Sequence, residues 1–308
     1  MKIHYLKIAF RNIVRHKTQS VVAMVGLAFG IACFVPAVYW LRYETGYDGF
    51  YPDAGRIYRI YAVEKQSGKV NEKVPGILEM KLHERFPITE TSTVFTVEYE
   101  NYSAENTSHI RLHTLNADSA FFRVFPQVLV SGDLRQPLRD VRHIILSEKV
   151  AKQLFGDVEN AIGKQVKSTT FFFPPYTVAA VVKNPPTDTN LPFDVIHFPE
   201  IQNQMTDYMP VEAQWTYFNK QLYVKFQSHT DMNAFAGQIR DFTSEAGVNT
   251  NMELRALPIG DVRHRLNANL PFTLGFIHLC VAAGLLLLCS AFFNFLNLFL
   301  GLFRQRLR

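Results

Sequence analysis

Cysteine is nearly absent from this chain of 308 residues, and the few cysteines avoid its long polar middle. Cys33, Cys280 and Cys289 all lie in apolar stretches near the two ends, and residues 42–270 contain none. The middle segment therefore cannot hold a disulfide and offers no thiolate ligands for a metal. Its 229 residues are enough to bury a core without such cross-links.

Acidic residues are missing from both ends of the chain. Residues 1–20 contain five basic residues and residues 304–308 contain three arginines, and neither end has an Asp or Glu. Residues 42–270 hold the other 24 basic residues and all 27 acidic ones, so this segment is slightly acidic although the whole chain carries +5. A nucleic-acid-binding domain would need a basic surface, and the composition therefore disfavours that class.

Charge is also absent from two long apolar stretches, residues 21–41 and 272–303. A bilayer core about 30 Å thick is crossed by roughly 20 helical residues, so each stretch is long enough to span it. Basic residues that flank membrane helices stay on the cytoplasmic side. We therefore expect two membrane spans, with both ends cytoplasmic and residues 42–270 on the other side.

A cleaved signal peptide is the alternative interpretation of the first stretch. Gly-Ile-Ala precedes Cys33, which resembles a lipoprotein cleavage site, but eight further apolar residues separate Cys33 from Arg42. The apolar core is longer than the roughly 7–15 residues of a signal peptide, and no A-x-A-like site follows it. A retained anchor is therefore favoured.

Both spans carry residues suited to packing against another helix. Gly26 and Gly30 form a G-x-x-x-G pair, which lets membrane helices approach closely. Ser290, Asn294 and Asn297 fall on one stripe of the second span, and amides in lipid are costly unless they bond to another helix. The stripe is expected to face the first span, a second copy of the chain or further segments. His278 is either a functional ionisable group or an interfacial polar residue.

Residues 3–17 can form an amphipathic helix before the first span. One arc is apolar, and the opposite arc holds His4 together with a basic collar of Lys7, Arg11 and Arg15. Such a helix can lie among lipid headgroups, although a simple positive flank would explain the charges equally well.

The segment between the spans alternates between strand and helix patterns. Strands are predicted at residues 57–63, 91–100, 110–115, 141–146, 176–182, 221–226 and 252–257. Helices are predicted at residues 77–86, at 148–155 with Ser147 as the cap and Gly156 as the end, and from an Asp231 cap to about Glu245 with Gly247 as the stop. Without a strict βαβ rhythm, the pattern indicates an α+β domain, and we expect it to be two-lobed.

Motifs for catalysis or cofactor binding are missing. Gly156 and Gly163-Lys164 do not have P-loop spacing, and His83-Glu84 lacks the second histidine of a zinc protease motif. No G-x-S-x-G elbow occurs. We therefore expect no enzyme activity and no catalytic, cofactor-binding or metal site in this chain.

Dispersed motifs give the chain a family likeness. It resembles the MacB/FtsX-type permease subunits of ABC transporters, in the form with a MacB-like periplasmic core domain. The matching segments are LKIAFRNIVRHK (6–17), VGLAFGIA (25–32), YETGYDGFYPDAGRIYRI (43–60), NADSAFFRVFPQVLVSGD (116–133), ILSEKVAKQLFGDVENAIGKQV (145–166), YTVAAVVKNPPTDTNLPFDV (176–195) and CSAFFNFLNL (289–298). Their order and spacing carry the resemblance.

The resemblance implies a domain plan. Residues 1–20 would be a cytoplasmic amphipathic basic helix and residues 21–41 the first transmembrane helix. Residues 42–270 would be the periplasmic core domain, residues 271–303 the second transmembrane helix with a stalk, and residues 304–308 a cytoplasmic basic tail. Family members continue with further spans, so we expect a fragment, a truncated product or one half of a permease.

The resemblance also implies a function. The chain would be an inner-membrane permease subunit that transmits motion from a cytoplasmic ABC ATPase to the outer domain. ATP would bind to the partner, and the permease would act as a homodimer or with a second permease copy. The substrate would be a drug, peptide or lipoprotein. The alternatives are a two-span extracytoplasmic sensor, which needs a cytoplasmic output module, and a polysaccharide chain-length regulator, which needs long outer helical hairpins.

Overall fold

The computed structural model describes residues 17–104, 108–168, 174–198, 210–245, 251–267 and 272–306. The chain divides into two compact units: residues 1–46 with 268–308, and Tyr47–Asn267. The N-terminal amphipathic helix predicted over residues 3–17, the Gly247 stop and the end of the basic tail lie outside the described residues.

The first unit contains two long apolar helices, α1 (Lys17–Thr45) and α8 (Leu274–Arg306). Their parts that are long and apolar enough to cross a membrane are Ser20–Thr45 and Leu274–Asn297. Most of these side chains are exposed in the unit, as expected for helices whose outer faces contact lipid.

The second unit is a mixed sheet with helices, which confirms the predicted α+β class. Its strands are β1 (Ile57–Glu64), β2 (Val70–Asn71), β3 (Val74–Pro75), β4 (Thr89–Ser103), β5 (Ile110–Ala117), β6 (Leu129–Gly132), β7 (His143–Ser147), β8 (Gln165–Ser168), β9 (Tyr176–Val182), β10 (Val195–His197), β11 (Phe218–Phe226) and β12 (Met252–Pro258). Its helices are α2 (Ile77–Arg85), α3 (Phe121–Val124), α4 (Glu148–Phe155), α5 (Val211–Gln214), α6 (Met232–Glu245) and α7 (Val262–Leu266).

The twelve described strands belong to one sheet with the order β12-β1-β11-β4-β5-β10-β7-β9-β6. All pairings are antiparallel except β5 with β10 and β7 with β9. Strand β8 pairs with both β4 and β9, so six strands (β4, β5, β10, β7, β9 and β8) form a closed ring. A closed ring leaves no free strand edge.

Two lobes can be distinguished by their hydrophobic cores. In the first, α2 and α6 cover β1, β11 and β12, with Leu82, Phe235 and Leu254 among the buried side chains. In the second, α4 packs on the closed ring, with Leu154 and Val178 buried. A third cluster, rich in phenylalanine, draws its residues from strands of both lobes. Because one sheet runs through both lobes, the described residues of the unit show no linker between the lobes.

The capping of α4 differs from the prediction. Ser147 stands at the N-cap position, but its side chain makes no capping hydrogen bond, and its buried Oγ has no partner among the described residues. Instead the backbone N–H of Lys149 donates to Oδ1 of Asn184, 2.8 Å away. The cap is thus supplied by the Asn184-Pro185-Pro186 break after β9, which sequence-local rules cannot anticipate. By contrast, Asp231 caps α6 as predicted, accepting from Asn233 and Ala234.

Candidate functional site

Three places in the described structure bear on function: the contact between α1 and α8, a buried turn that follows α1 in sequence, and a polar cleft in the first lobe. They lie in different units or on different elements, so each is described by itself.

The two apolar helices pack through glycine. A Cβ placed on Gly30 would lie 3.0 Å from Cδ2 of Leu288 and 3.3 Å from its backbone nitrogen. A Cβ on Gly284 would lie 2.9 Å from Cα of Phe34, whereas one on Gly26 would lie 3.9 Å from Cβ of Ala291. The helices therefore run antiparallel, and two of the glycines leave no room for a larger side chain. A role for Gly26 and Gly30 in permease assembly stays a prediction.

The polar stripe of α8 lies away from this contact. Ser290, Asn294 and Asn297 are all exposed in the two-helix unit. At about 100° per residue, the stripe is centred roughly 100° around α8 from the face that holds Gly284 and Ala291. In the two-helix unit the first span leaves the stripe uncovered, and the partner of the stripe stays a prediction.

The antiparallel contacts also set the depth of the stripe. Gly26 is level with Ala291, and Gly30 is level with Leu288. Continuing in the same register places Asn297 level with Ser20 and Asn294 about one turn further into the span. The stripe thus lies toward the end of the helix pair at which α1 begins.

The basic collar and His278 were also singled out from the sequence. The collar residues Lys7, Arg11 and Arg15 lie outside the described residues. His278 is exposed, and its Nδ1 lies 2.8 Å from the carbonyl oxygen of Leu274, one turn earlier in the same helix. His278 therefore has a local partner within α8.

A buried turn directly follows the first apolar helix in sequence. Asp48 is fully buried and has a left-handed backbone with φ 57°. Its carboxylate accepts hydrogen bonds from the hydroxyl of Thr189 and from the backbone and side-chain N–H groups of Asn190. Burial nevertheless raises the pKa of Asp48. The Asp48 of YETGYDGF and the TDTN segment, two parts of the family likeness, are thus joined across the domain.

The first lobe has a cleft of about 280 Å³ between α2, the start of β4 and α3. Glu79, His83, Glu90, Thr91, Ser92, Ala120 and Arg123 line it. The Ser92 hydroxyl donates to Oε1 of Glu79 over 2.7 Å, and Nε2 of His83 lies 2.8 Å from the same Ser92 oxygen. Burial and the nearby Asp118 raise the pKa of Glu79 from 4.5 to about 7.

Neighbouring charges surround this cleft. Asp118 accepts hydrogen bonds from the Thr93 hydroxyl and from the backbone N–H groups of Val94 and Ala120, yet burial raises its pKa. Glu90 is paired with Arg56 and Lys225, which lower its pKa although partial burial opposes them.

Sequence reasoning missed this cleft, because Glu79 looks like an ordinary acid in the first turn of a helix. No group of three or more His, Cys, Asp or Glu side chains in the described part of the chain is arranged to hold a metal ion. The polar groups of the cleft bond mainly to one another and to basic side chains at its rim. The cleft can therefore share protons among its own side chains, but it does not offer a set of metal ligands.

Comparisons with known proteins place the chain in a family. The family model described as the MacB-like periplasmic core domain matches residues 20–242. No curated protein matches the chain. Among solved structures, a domain of a permease protein from Porphyromonas gingivalis is similar with 18% identity and a TM-score of 0.56, covering 75% of this chain and 99% of its own. That likeness concerns the fold.

Two further solved structures are similar more distantly. The extracellular domain of the noncanonic ABC-type transporter YknZ from Gram-positive bacteria has 13% identity and a TM-score of 0.47, covering 64% of this chain and 98% of its own. The periplasmic region of MacB from Actinobacillus actinomycetemcomitans has 16% identity and a TM-score of 0.45, covering 71% of this chain and 95% of its own.

Proposed function

Because this chain belongs to the family of the MacB-like periplasmic core domain, we propose that it is the membrane-spanning permease subunit of an ABC transporter. One observation carries the proposal. The family match begins at residue 20, inside the first apolar helix, and runs through most of the mixed-sheet domain. A second apolar helix then follows the domain, so the family's core domain stands between two helices that can span a bilayer.

The proposed topology has both chain ends in the cytoplasm and the domain in the periplasm of a bacterial cell, as a multi-pass inner-membrane protein. The basic residues at both ends support this orientation, because positive flanks are retained on the cytoplasmic side. The balanced charge of residues 42–270 is compatible with their translocation. The domain boundaries at residues 20, 41, 270 and 303 belong to the same proposal.

In the proposed mechanism, the chain transmits motion and performs no chemistry of its own. A cytoplasmic ABC ATPase binds ATP, and its closure moves the helices, which bias the outer domain between two states. Close glycine contacts between α1 and α8 favour movement of the pair as one body. The substrate, a drug, peptide or lipoprotein, would be handled outside the membrane.

The partner-facing surface of the helices is proposed to be the stripe of Ser290, Asn294 and Asn297. It is exposed in the two-helix unit, and amides in or near lipid gain from bonding to another helix. A second permease copy or further spans of the same permease would cover it. The observed face-to-face contact of α1 and α8 leaves the stripe free for that purpose.

The function is tested by purifying the tagged full-length gene product from membranes of its own host. We expect an ABC ATPase to co-purify and its ATP hydrolysis to change when the permease is added back. Recovery of a histidine kinase or another signalling module, with no ATPase, would support the sensor interpretation and contradict the proposal.

The stripe is tested in the same preparation by replacing Asn294 and Asn297 with Leu. We expect weaker co-purification of the partner chains, by roughly fivefold for about 1 kcal/mol lost. Cys289→Leu is the matched control, since Cys289 is also exposed on α8 but lies outside the stripe. Unchanged dimerisation and unchanged ATPase recovery in the double variant would contradict the proposal that the stripe faces a partner chain.

A further inference from the structure

The cleft of the first lobe contains a chain of three hydrogen-bonding side chains that no transport step uses. Glu79 and His83 are one turn apart on α2, and Ser92 on β4 lies between them. Ser92 is 1% exposed, so its hydroxyl has little access to water. With donor–acceptor distances of 2.7 and 2.8 Å, both contacts are ordinary hydrogen bonds.

We propose that Glu79, Ser92 and His83 form a proton-dependent latch that holds helix α2 on strand β4. The latch has two states with different bonding directions. With Glu79 ionised, the Ser92 hydroxyl donates to the carboxylate, and Nε2–H of His83 donates to the Ser92 oxygen. With Glu79 protonated, its O–H donates to the Ser92 oxygen, and the Ser92 hydroxyl can donate to Nε2 of His83 when that nitrogen carries no proton.

The surroundings of Glu79 explain why the proton matters. Burial and Asp118 disfavour the ionised form of Glu79, while Ser92 and Arg123 favour it. Glu90 also lines the cleft, but Arg56 and Lys225 pair with it. Burial lowers the pKa of Lys220 on β11, and the negative charge of Asp118 opposes that shift. Repulsion from Asp118 is thus a destabilising contact that protonation of Glu79 removes.

The sign of the pH effect follows from these contacts. The pKa of Glu79 rises from about 4.5 in the unfolded chain to about 7 in the domain. Between these values the folded chain binds more protons than the unfolded chain, so this group's contribution to stability decreases as the pH rises from about 4.5 to about 7. The latch between α2 and β4 is therefore more stable in acid than above neutral pH.

Two variants on the same helix separate the latch from general electrostatics. Glu79→Gln keeps a donor toward Ser92 and cannot ionise, whereas Glu84→Gln removes an exposed carboxylate whose partner is Lys81. In the full chain in nanodiscs, we expect E79Q to melt roughly 5 °C or more above the wild type at pH 8 and to lose that advantage at pH 5. E84Q should follow the wild-type pH profile.

A second measurement is made on the wild-type chain itself. The ¹⁵N signals of His83 in the wild-type chain, assigned by their loss in His83→Gln, report which ring nitrogen carries the proton. We expect the Nε2–H form to increase as Glu79 ionises between pH 6 and 8, and Ser92→Ala to abolish that coupling. The latch would be overturned if the melting temperature of E79Q had the same pH dependence as that of the wild type. It would also be overturned if the pH dependence of the His83 signals were the same in Ser92→Ala. Neither result depends on transport, so failure here is distinguishable from failure of the proposed function.

Discussion

Gly132 shows how a single residue is constrained by its neighbours. It ends strand β6 with φ 89°, and a Cβ on it would lie 2.2 Å from the carbonyl oxygen of Ala179 on β9. Both the backbone conformation and the space exclude a side chain. The position belongs to VSGD, part of the family likeness, and the packing gives a physical reason for glycine there.

Replacing Gly132 with Ala should destabilise the chain by about 3 kcal/mol or more, because β6 would have to separate from β9. Gly237→Ala is the matched control: it lies in helix α6 with open space around it. That change should stabilise the chain by up to about 1 kcal/mol through helix propensity. Thermal unfolding of both variants in detergent checks the pair, and equal effects would contradict this reading of Gly132.

At the residue scale, sequence patterns predicted one local helix cap but not long-range bonds. Asp231 as a helix cap was predictable because its partners are two and three residues away. The bonds from Asp48 to Thr189 and Asn190, and the capping of α4 by Asn184, join residues far apart in sequence. Nothing in the local pattern distinguishes such polar residues from exposed ones, and the same holds for Glu79.

At the scale of elements, strong periodicity predicted the longer helices and the long strands, and missed the helices of four or five residues (α3, α5 and α7). The strand at residues 176–182 and the helix at 148–155 match the structure at both ends. The strands missed were the short ones: β2, β3, β6, β8 and β10, each of two to four residues. Such short segments are strands only because neighbours pair with them, so their sequence carries little period-two signal.

The register of α1 against α8 gives a prediction at this scale. The distance of 3.9 Å between a Cβ on Gly26 and Cβ of Ala291 lies within the range that a disulfide requires. In a chain whose three native cysteines are replaced by Ala, we expect Gly26→Cys with Ala291→Cys to form that bond on mild oxidation. The crosslink is detected as a shift in mobility on a non-reducing gel after cleavage between the helices.

Gly26→Cys with Ser290→Cys is the matched control, because Ser290 is adjacent to Ala291 but exposed away from α1. It should crosslink several-fold more slowly. Equal rates for the two pairs would mean that the helices do not hold this register, and the depth assigned to the asparagine stripe would be lost with it.

At the scale of the whole molecule, composition and charge predicted more than any motif. The cysteine-free middle, the acid-free ends and two apolar stretches indicated a folded module between two helices, and the structure has a mixed-sheet unit that lies between α1 and α8 in sequence. What composition could not predict is the closed ring of six strands, because ring closure depends on β8 pairing with two distant strands.

The orientation of the molecule in the membrane is the claim on which the proposed function depends. In the cysteine-replaced chain, Lys69→Cys places an exposed thiol in the mixed-sheet domain, and Thr18→Cys places one at the start of α1. Labelling with a membrane-impermeant maleimide in spheroplasts tests both. We expect Lys69→Cys to be labelled in intact spheroplasts and Thr18→Cys only after lysis. Protection of Lys69→Cys until lysis would contradict the account, because the domain would then be cytoplasmic.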